Sequence, residues 1–91
     1  AAFGDANATL IEGLNFGNAT FTADRTLTLP ASPSTNDIVR VKAPANLAGF
    51  DCVIQKGATD QRIDGQETII LESNGGALTM QYVGGDQWLI Y

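Results

Sequence analysis

Four acidic side chains in one short segment are the residues best suited to chemistry: Asp60, Asp64, Glu67 and Glu72. Paired carboxylates can hydrolyse a glycosidic bond by acid and base catalysis, and carboxylate oxygens can hold Ca²⁺. The spacing suits neither use well, because Asp64-Gly65 predicts a turn of its own and no calcium-loop pattern of alternating ligands is present. A solvated loop face is the simpler interpretation, with a weak cation site as the alternative.

Three aromatic side chains near the C-terminus, Tyr82, Trp88 and Tyr91, could form a platform on which a sugar ring stacks. Strand alternation places Trp88 on one face of the last strand, and Leu89 and Tyr91 on the other, so we expect both faces to be covered. This pattern favours a role for Trp88 in the core or in a subunit interface over an exposed ligand platform.

Nucleophilic and metal chemistry have little support in the composition. The chain has no histidine, which excludes a His-based catalytic pair and a His-containing metal site. Its one cysteine, Cys52, lies in an apolar run and is expected to be a buried, inert thiol. We therefore predict no catalytic, cofactor-binding or metal-binding residues and no enzymatic activity.

Length and charge limit the partners of the chain. Its 91 residues suit one small domain, and a chain this short buries only about 60–65% of its unfolded surface, so neighbouring subunits often supply further burial. Ten acidic and five scattered basic residues give a net charge of −5, which disfavours binding to nucleic acid. No apolar run of about 18 residues is present, so membrane association is not expected.

A β-hairpin over residues 77–91 is the best-defined element. Leu78, Met80 and Tyr82 alternate with polar residues, as in a strand with one buried face. The sequence Gly84-Gly85-Asp86 predicts the turn, because glycine tolerates the positive φ of tight hairpins. The return strand carries the only tryptophan, and we expect the C-terminus to lie within a core.

Similar alternation predicts further short strands. In one of them Val39 and Val41 face inward, and Arg40 and Lys42 face outward. These strands cover residues 19–23, 26–29, 38–42, 52–55, 62–63 and 68–71, the last of them covered on both faces. Seven or eight short strands without a convincing helix predict an all-β fold, a compact antiparallel β-sandwich or barrel-like module over residues 18–91.

Residues 1–17 are predicted to form an extended N-terminal arm, because glycine and asparagine disfavour a sustained helix. Its apolar residues Phe3, Leu10, Ile11 and Leu14 would lie either on the chain's own domain or on a neighbouring subunit, and the sequence leaves both possibilities open. We take these four residues, together with Tyr82 and Trp88, as the candidate interface with a subunit or partner.

Several strand and turn segments resemble the small β-modules of tailed-bacteriophage virion proteins, which occur in tail fibres and head-decoration proteins. The segments are Thr26-Leu27-Thr28-Leu29-Pro30, Asn36-Asp37 entering Ile38-Val39-Arg40-Val41, Ile63-Asp64-Gly65, and Tyr82-Val83 followed by the Gly-Gly-Asp turn and Trp88-Leu89-Ile90. The resemblance covers residues 20–91. The chain departs from the family in having Asn36-Asp37 where Gly-Asp is common, and in its Ala-rich leader.

The resemblance implies a non-enzymatic structural subunit, usually a homotrimer, that acts in the virion after assembly in the host cytoplasm. One expectation is a capsid-decoration (cement) protein that binds the outer surface of the major capsid protein lattice and stabilises the head. The short acidic chain, the lack of a coiled-coil or collagen-like stalk and the start on Ala-Ala favour this expectation. The alternative is a tail-fibre or tailspike module that binds a host-surface receptor, such as a glycan.

Overall fold

Buried and more exposed side chains alternate along strands such as Ile38–Lys42 and Cys52–Gln55, as expected where one face of a sheet covers a core. Val39 and Val41 are buried whereas Arg40 and Lys42 are exposed, as the sequence predicts. The computed structural model describes residues 1–91 and contains ten strands and no helix. The strands are β1 (Ala2–Phe3), β2 (Ala8–Thr9), β3 (Gly13–Gly17), β4 (Arg25–Thr28), β5 (Ile38–Lys42), β6 (Cys52–Gln55), β7 (Arg62–Ile63), β8 (Thr68–Leu71), β9 (Ala77–Tyr82) and β10 (Gln87–Ile90).

The all-β prediction is confirmed, and the strands form two mixed sheets. The six-stranded sheet has the order β1-β3-β5-β9-β10-β7, and the four-stranded sheet has the order β2-β4-β6-β8. Successive strands from β1 to β9 therefore alternate between the two sheets. Between two neighbouring strands of one sheet the chain forms a strand of the other sheet, and it returns in the original direction. As a result β1, β3 and β5 run parallel, and so do β2, β4 and β6.

The prediction of antiparallel pairing is wrong for most of the structure. Five of the eight strand pairs are parallel, and only β5–β9, β6–β8 and β9–β10 are antiparallel. Parallel neighbours need a long crossover connection, and here the crossover is a strand of the opposite sheet. The strand number also differs from seven or eight, because β1, β2 and β3 are additional and no strand forms over residues 19–23.

Residues 1–17, the expected arm, lie within the two sheets of their own chain. β1 pairs with β3 and β3 with β5, while β2 pairs with β4 in the other sheet. Phe3 and Leu10 are buried in the same core as the later strands. The arm and residues 18–91 thus share a single core.

The core consists of fourteen buried apolar residues. They are Phe3, Leu10, Phe21, Leu27, Leu29, Val39, Val41, Ala43, Leu47, Cys52, Ile54, Ile63, Met80 and Trp88. Both sheets contribute to this cluster, which makes the molecule one body. Burial of a large aliphatic or aromatic side chain stabilises the fold by about 1.5–3 kcal/mol.

The C-terminal hairpin forms as predicted, with β9 antiparallel to β10 and positive φ at Gly84, Gly85 and Asp86. Two expectations about exposure are wrong. β8 is an edge strand on which the Ile70 side chain is 47% exposed, and the terminal Tyr91 is 67% exposed. Both side chains face outward, so neither position is covered by the chain itself.

Candidate functional site

The four acidic residues that suggested chemistry do not form one site. Glu67 pairs with Lys56 at 3.2 Å and lies 3.8 Å from Arg62, and these cations lower the pKa of its carboxyl. Asp64 accepts a hydrogen bond from the backbone N–H of Ile90. No group of three or more acidic or cysteine side chains is arranged to hold a metal ion. Asp64 and Glu67 thus make separate turn and ion-pair contacts, and Asp60 and Glu72 are exposed.

Cys52 is fully buried in β6, in agreement with the sequence prediction. Burial raises the pKa of its thiol to about 11. At neutral pH the Cys52 side chain is therefore a protonated thiol. A nucleophilic or metal-binding cysteine needs the thiolate. Cys52 therefore serves packing.

The candidate aromatic residues are separated by the fold. The ring of Trp88 is fully buried and lies 5.3 Å from that of Tyr82 in a tilted arrangement, whereas Tyr91 is exposed. The indole N–H of Trp88 donates to Oε1 of the buried Gln61 at 3.3 Å, and Gln61 donates in turn to the carbonyl oxygen of Ala31. Trp88 is thus fixed in the core and is not available as a sugar platform.

The outer face of the six-stranded sheet is the most unusual surface of the molecule. Leu14 and Phe16 on β3 lie opposite Arg40 and Lys42 on β5, and all four side chains are exposed. Across β9, exposed Leu89 and Tyr91 continue the same face, since Leu89 pairs with Gln81 and the N–H of Tyr91 donates to Thr79. We call this surface, formed by Leu14, Phe16, Arg40, Lys42, Leu89 and Tyr91, the cationic face.

The two cations of this face differ from the other three cations of the chain. Arg25 pairs with Asp5 at 2.8 Å, and Lys56 and Arg62 both lie near Glu67. Arg40 and Lys42 form no salt bridge, and the ammonium group of Lys42 donates only to the backbone carbonyl of Gly75. In a chain of net charge −5, two adjacent cations without carboxylate partners can attract an acidic partner.

A carboxylate pair borders the cationic face. Glu12 directly precedes β3, and the hydrogen bond and negative charge of Asp37 raise its pKa. Asp37 also accepts a hydrogen bond from the backbone N–H of Ser34, which fixes the turn before β5. Because its pKa is raised, the Glu12 carboxyl takes up a proton more readily than an isolated glutamate as the pH falls.

The six predicted interface residues fall into two groups. Phe3, Leu10 and Trp88 are at most 5% exposed and belong to the core, so they cannot contact a partner of this folded chain. Ile11 and Leu14 are more than half exposed, and Tyr82 packs against the core from a half-buried position. An interface role therefore stays a prediction for Ile11, Leu14 and Tyr82.

Sequence reasoning missed Phe16, Leu89 and the neighbouring cations as parts of one surface. The outward direction of Arg40 and Lys42 was predictable from alternation, but the pairing of β3 with β5 is not visible in the sequence. The local pattern pointed the other way: alternation of Leu14 and Phe16 with the polar Asn15 predicts the apolar pair inside, whereas the structure buries Asn15 and exposes both apolar side chains.

One part of the outer face of the four-stranded sheet is neutral and polar. A groove of about 400 Å³ runs over β2, β4 and β6, and its lining is almost entirely threonine, asparagine and glutamine. Thr9, Thr28, Gln55 and Thr68 occupy one row across the four strands. This groove offers neutral hydrogen-bonding groups and no charge.

Comparison of the sequence with models of known protein families and with curated proteins gives no match. The structure has no helix of the length and apolar character needed to cross a membrane.

Proposed function

We propose that this chain is a non-enzymatic structural subunit of a bacteriophage virion, a homotrimeric capsid-decoration protein that binds the outer surface of the major capsid lattice and stabilises the head. The observation that carries the proposal is the cationic face, where Leu14 and Phe16 lie beside two cations without acidic partners and Leu89 and Tyr91 lie beyond β9 on the same face. The virion assignment comes from the resemblance of residues 20–91 to phage β-modules. In this proposal the two sheets form a β-sandwich within each subunit.

Exposed apolar groups support an interaction role, because contiguous apolar patches on soluble proteins often mark protein–protein interfaces. Leu14 is 53% exposed, Leu89 43% and Tyr91 67%. Other leucines of the chain, such as Leu27, are fully buried. A specific, stable contact buries about 1,200–2,000 Å² in total. Repetition of such contacts over a capsid lattice would oppose expansion of the shell without any catalytic residue.

Imaging of the virion that carries this chain tests the proposal. Gold-labelled antibody raised against the purified chain should decorate the whole head, with many symmetric copies per particle. Removal of the protein should then lower the temperature at which heads release their DNA. Label confined to the tail would contradict the decoration role.

A tail-fibre or tailspike module that binds a host glycan is the second candidate, and the polar groove favours it. The hydroxyl groups of Thr26 and Thr28 and the amides of Asn7 and Gln55 can exchange hydrogen bonds with sugar hydroxyls. Titration with host cell-wall polysaccharide, compared for the wild type and Gln55→Ala, tests this function. Binding that is saturable and weakened by Gln55→Ala would support the tail assignment.

A further inference from the structure

We infer that the cationic face binds a second copy of this chain at an acidic patch on the four-stranded sheet. The acidic patch consists of Asp24, Asp51 and Glu72, together with the apolar side chains of Val53 and Ile70. The inference rests on the homotrimer of the proposed function and identifies the two surfaces that would meet between subunits.

Strand register brings the three carboxylates of the acidic patch to one end of the four-stranded sheet. Arg25 of β4 pairs with Cys52 of β6, and Asp24 and Asp51 each precede these paired residues by one position. The backbone N–H of Asp51 donates to the Asp24 carboxylate at 2.8 Å, which ties the two segments together. On the far side of β6, Cys52 pairs with Leu71, so Glu72 follows opposite Asp51.

Apolar side chains adjoin the carboxylates. Val53 and Ile70 pair across β6 and β8, and each is two positions from an acidic residue of the patch. Because alternate residues of a strand share a face, Ile70 lies on the same side as Glu72, and its side chain is 47% exposed. The patch thus combines negative charge with exposed apolar area.

The cationic face and the acidic patch carry opposite charges, and both also carry apolar side chains. Arg40 and Lys42 have no carboxylate partner within the chain, and none of the three acidic residues of the patch forms a salt bridge. Leu14 and Phe16 border the cations as Val53 and Ile70 border the carboxylates. Contact between unlike patches pairs opposite charges, whereas contact between two copies of either patch brings like charges together and is disfavoured.

Cyclic symmetry requires this kind of arrangement. A ring of three identical chains is built from head-to-tail contacts, in which one surface of each subunit meets a different surface of the next. The two patches lie on different sheets and can both be occupied on the same chain. Each subunit can therefore bind one neighbour through its cationic face and the other through its acidic patch.

Charge reversal tests the inference. The wild type and the double variant Arg40→Glu/Lys42→Glu are compared by sedimentation over a range of concentrations, and circular dichroism verifies that each is folded. We expect the double variant to dissociate at concentrations at least about tenfold higher than the wild type, because like charges would then face each other. The single variant Glu72→Lys should weaken association in the same direction.

Rescue provides the decisive comparison. Adding Asp51→Lys and Glu72→Lys to the double variant reverses both patches in one chain, restores unlike charges at every contact and should restore association. The matched control is Asp60→Lys, which makes the same charge change as Glu72→Lys at an exposed turn outside both patches and should leave association unchanged.

The outcomes separate this inference from the proposed function. A trimer that is insensitive to Arg40→Glu/Lys42→Glu, or is not rescued by the combined reversal, overturns the pairing of patches and leaves the homotrimer intact. A mass that grows with concentration and responds to the reversals supports the pairing but contradicts a closed trimer. A monomeric wild type overturns both.

Discussion

Leu14 and Arg40 lie directly opposite each other on the parallel strands β3 and β5, and both side chains point away from the core. Their backbone neighbours Asn15 and Val41 form the next pair and are buried. One register thus determines both faces of the sheet: the inner one belongs to the core, and the outer one carries apolar and cationic groups together. The proposed interaction surface is a direct consequence of this pairing.

Two consecutive residues test whether the N-terminal segment belongs to its own chain. Leu10 is 2% exposed in the core, whereas Ile11 is 52% exposed. Leu10→Ala should lower the free energy of unfolding by about 2–5 kcal/mol, because it leaves a cavity in the core. Ile11→Ala is the matched control and should change it by no more than about 0.5 kcal/mol. Urea denaturation of both variants makes the measurement, and equal, small effects would show that the segment does not pack on this core.

The carboxamide of Asn15 should be essential to the start of β3. Its Oδ1 accepts from the N–H of Ile11, and its Nδ2 donates to the carbonyl oxygens of Ile11, Gly13 and Arg40. Asn15→Ala removes the partners of partly buried backbone groups, and each fully buried group of this kind would cost about 1–3 kcal/mol. We expect a clear decrease in the denaturation midpoint. Asn18→Ala, at an exposed position without side-chain hydrogen bonds, should have almost none.

Gly57 is predicted to tolerate no side chain. A Cβ at this position would collide with the carbonyl oxygen of Leu29 and lie 2.6 Å from that of Pro30. Gly57→Ala should therefore destabilise the fold by about 1–3 kcal/mol. At Gly4 the nearest atom, Oδ1 of Asn18, would be 3.9 Å away, so Gly4→Ala serves as the control in the same thermal melts. A melt of Gly57→Ala that matches the wild type would contradict this close approach.

Acid should selectively remove the contribution of Asp5. Hydrogen bonds from Arg25 and Thr22 lower the pKa of the Asp5 carboxyl from 3.8 to about 2. Because the folded state favours the ionised form, this stabilisation is complete above the unfolded pKa and is lost as pH falls from 3.8 towards 2. Asp5→Asn should have a lower urea midpoint than the wild type at pH 7, and the difference should shrink over that interval. A difference independent of pH would show that the charge is not responsible.

Local sequence was sufficient to predict the C-terminal hairpin. The alternation of Leu78, Met80 and Tyr82 and the Gly84-Gly85 turn act within a few residues, and the structure reproduces both. Alternation also determined that Val39 and Val41 are buried while Arg40 and Lys42 are exposed.

Strand partners were not predictable in the same way. Alternation determines which face a side chain occupies, but it does not reveal which strand lies beside it, so the parallel winding through β1 to β6 has no local signal. The interface prediction failed for Phe3 and Leu10 for the same reason, since their burial depends on strands far along the chain. The cationic face likewise exists only because β3 pairs with β5.

The mass of the purified chain in solution tests the central claim most directly. Light scattering at micromolar concentration should give three times the monomer mass of 9.6 kDa, and Leu14→Glu on the cationic face should reduce the mass without loss of folded structure. A mass of 9.6 kDa for the wild type over the whole concentration range would contradict the claim that the outer face of the six-stranded sheet joins sibling chains.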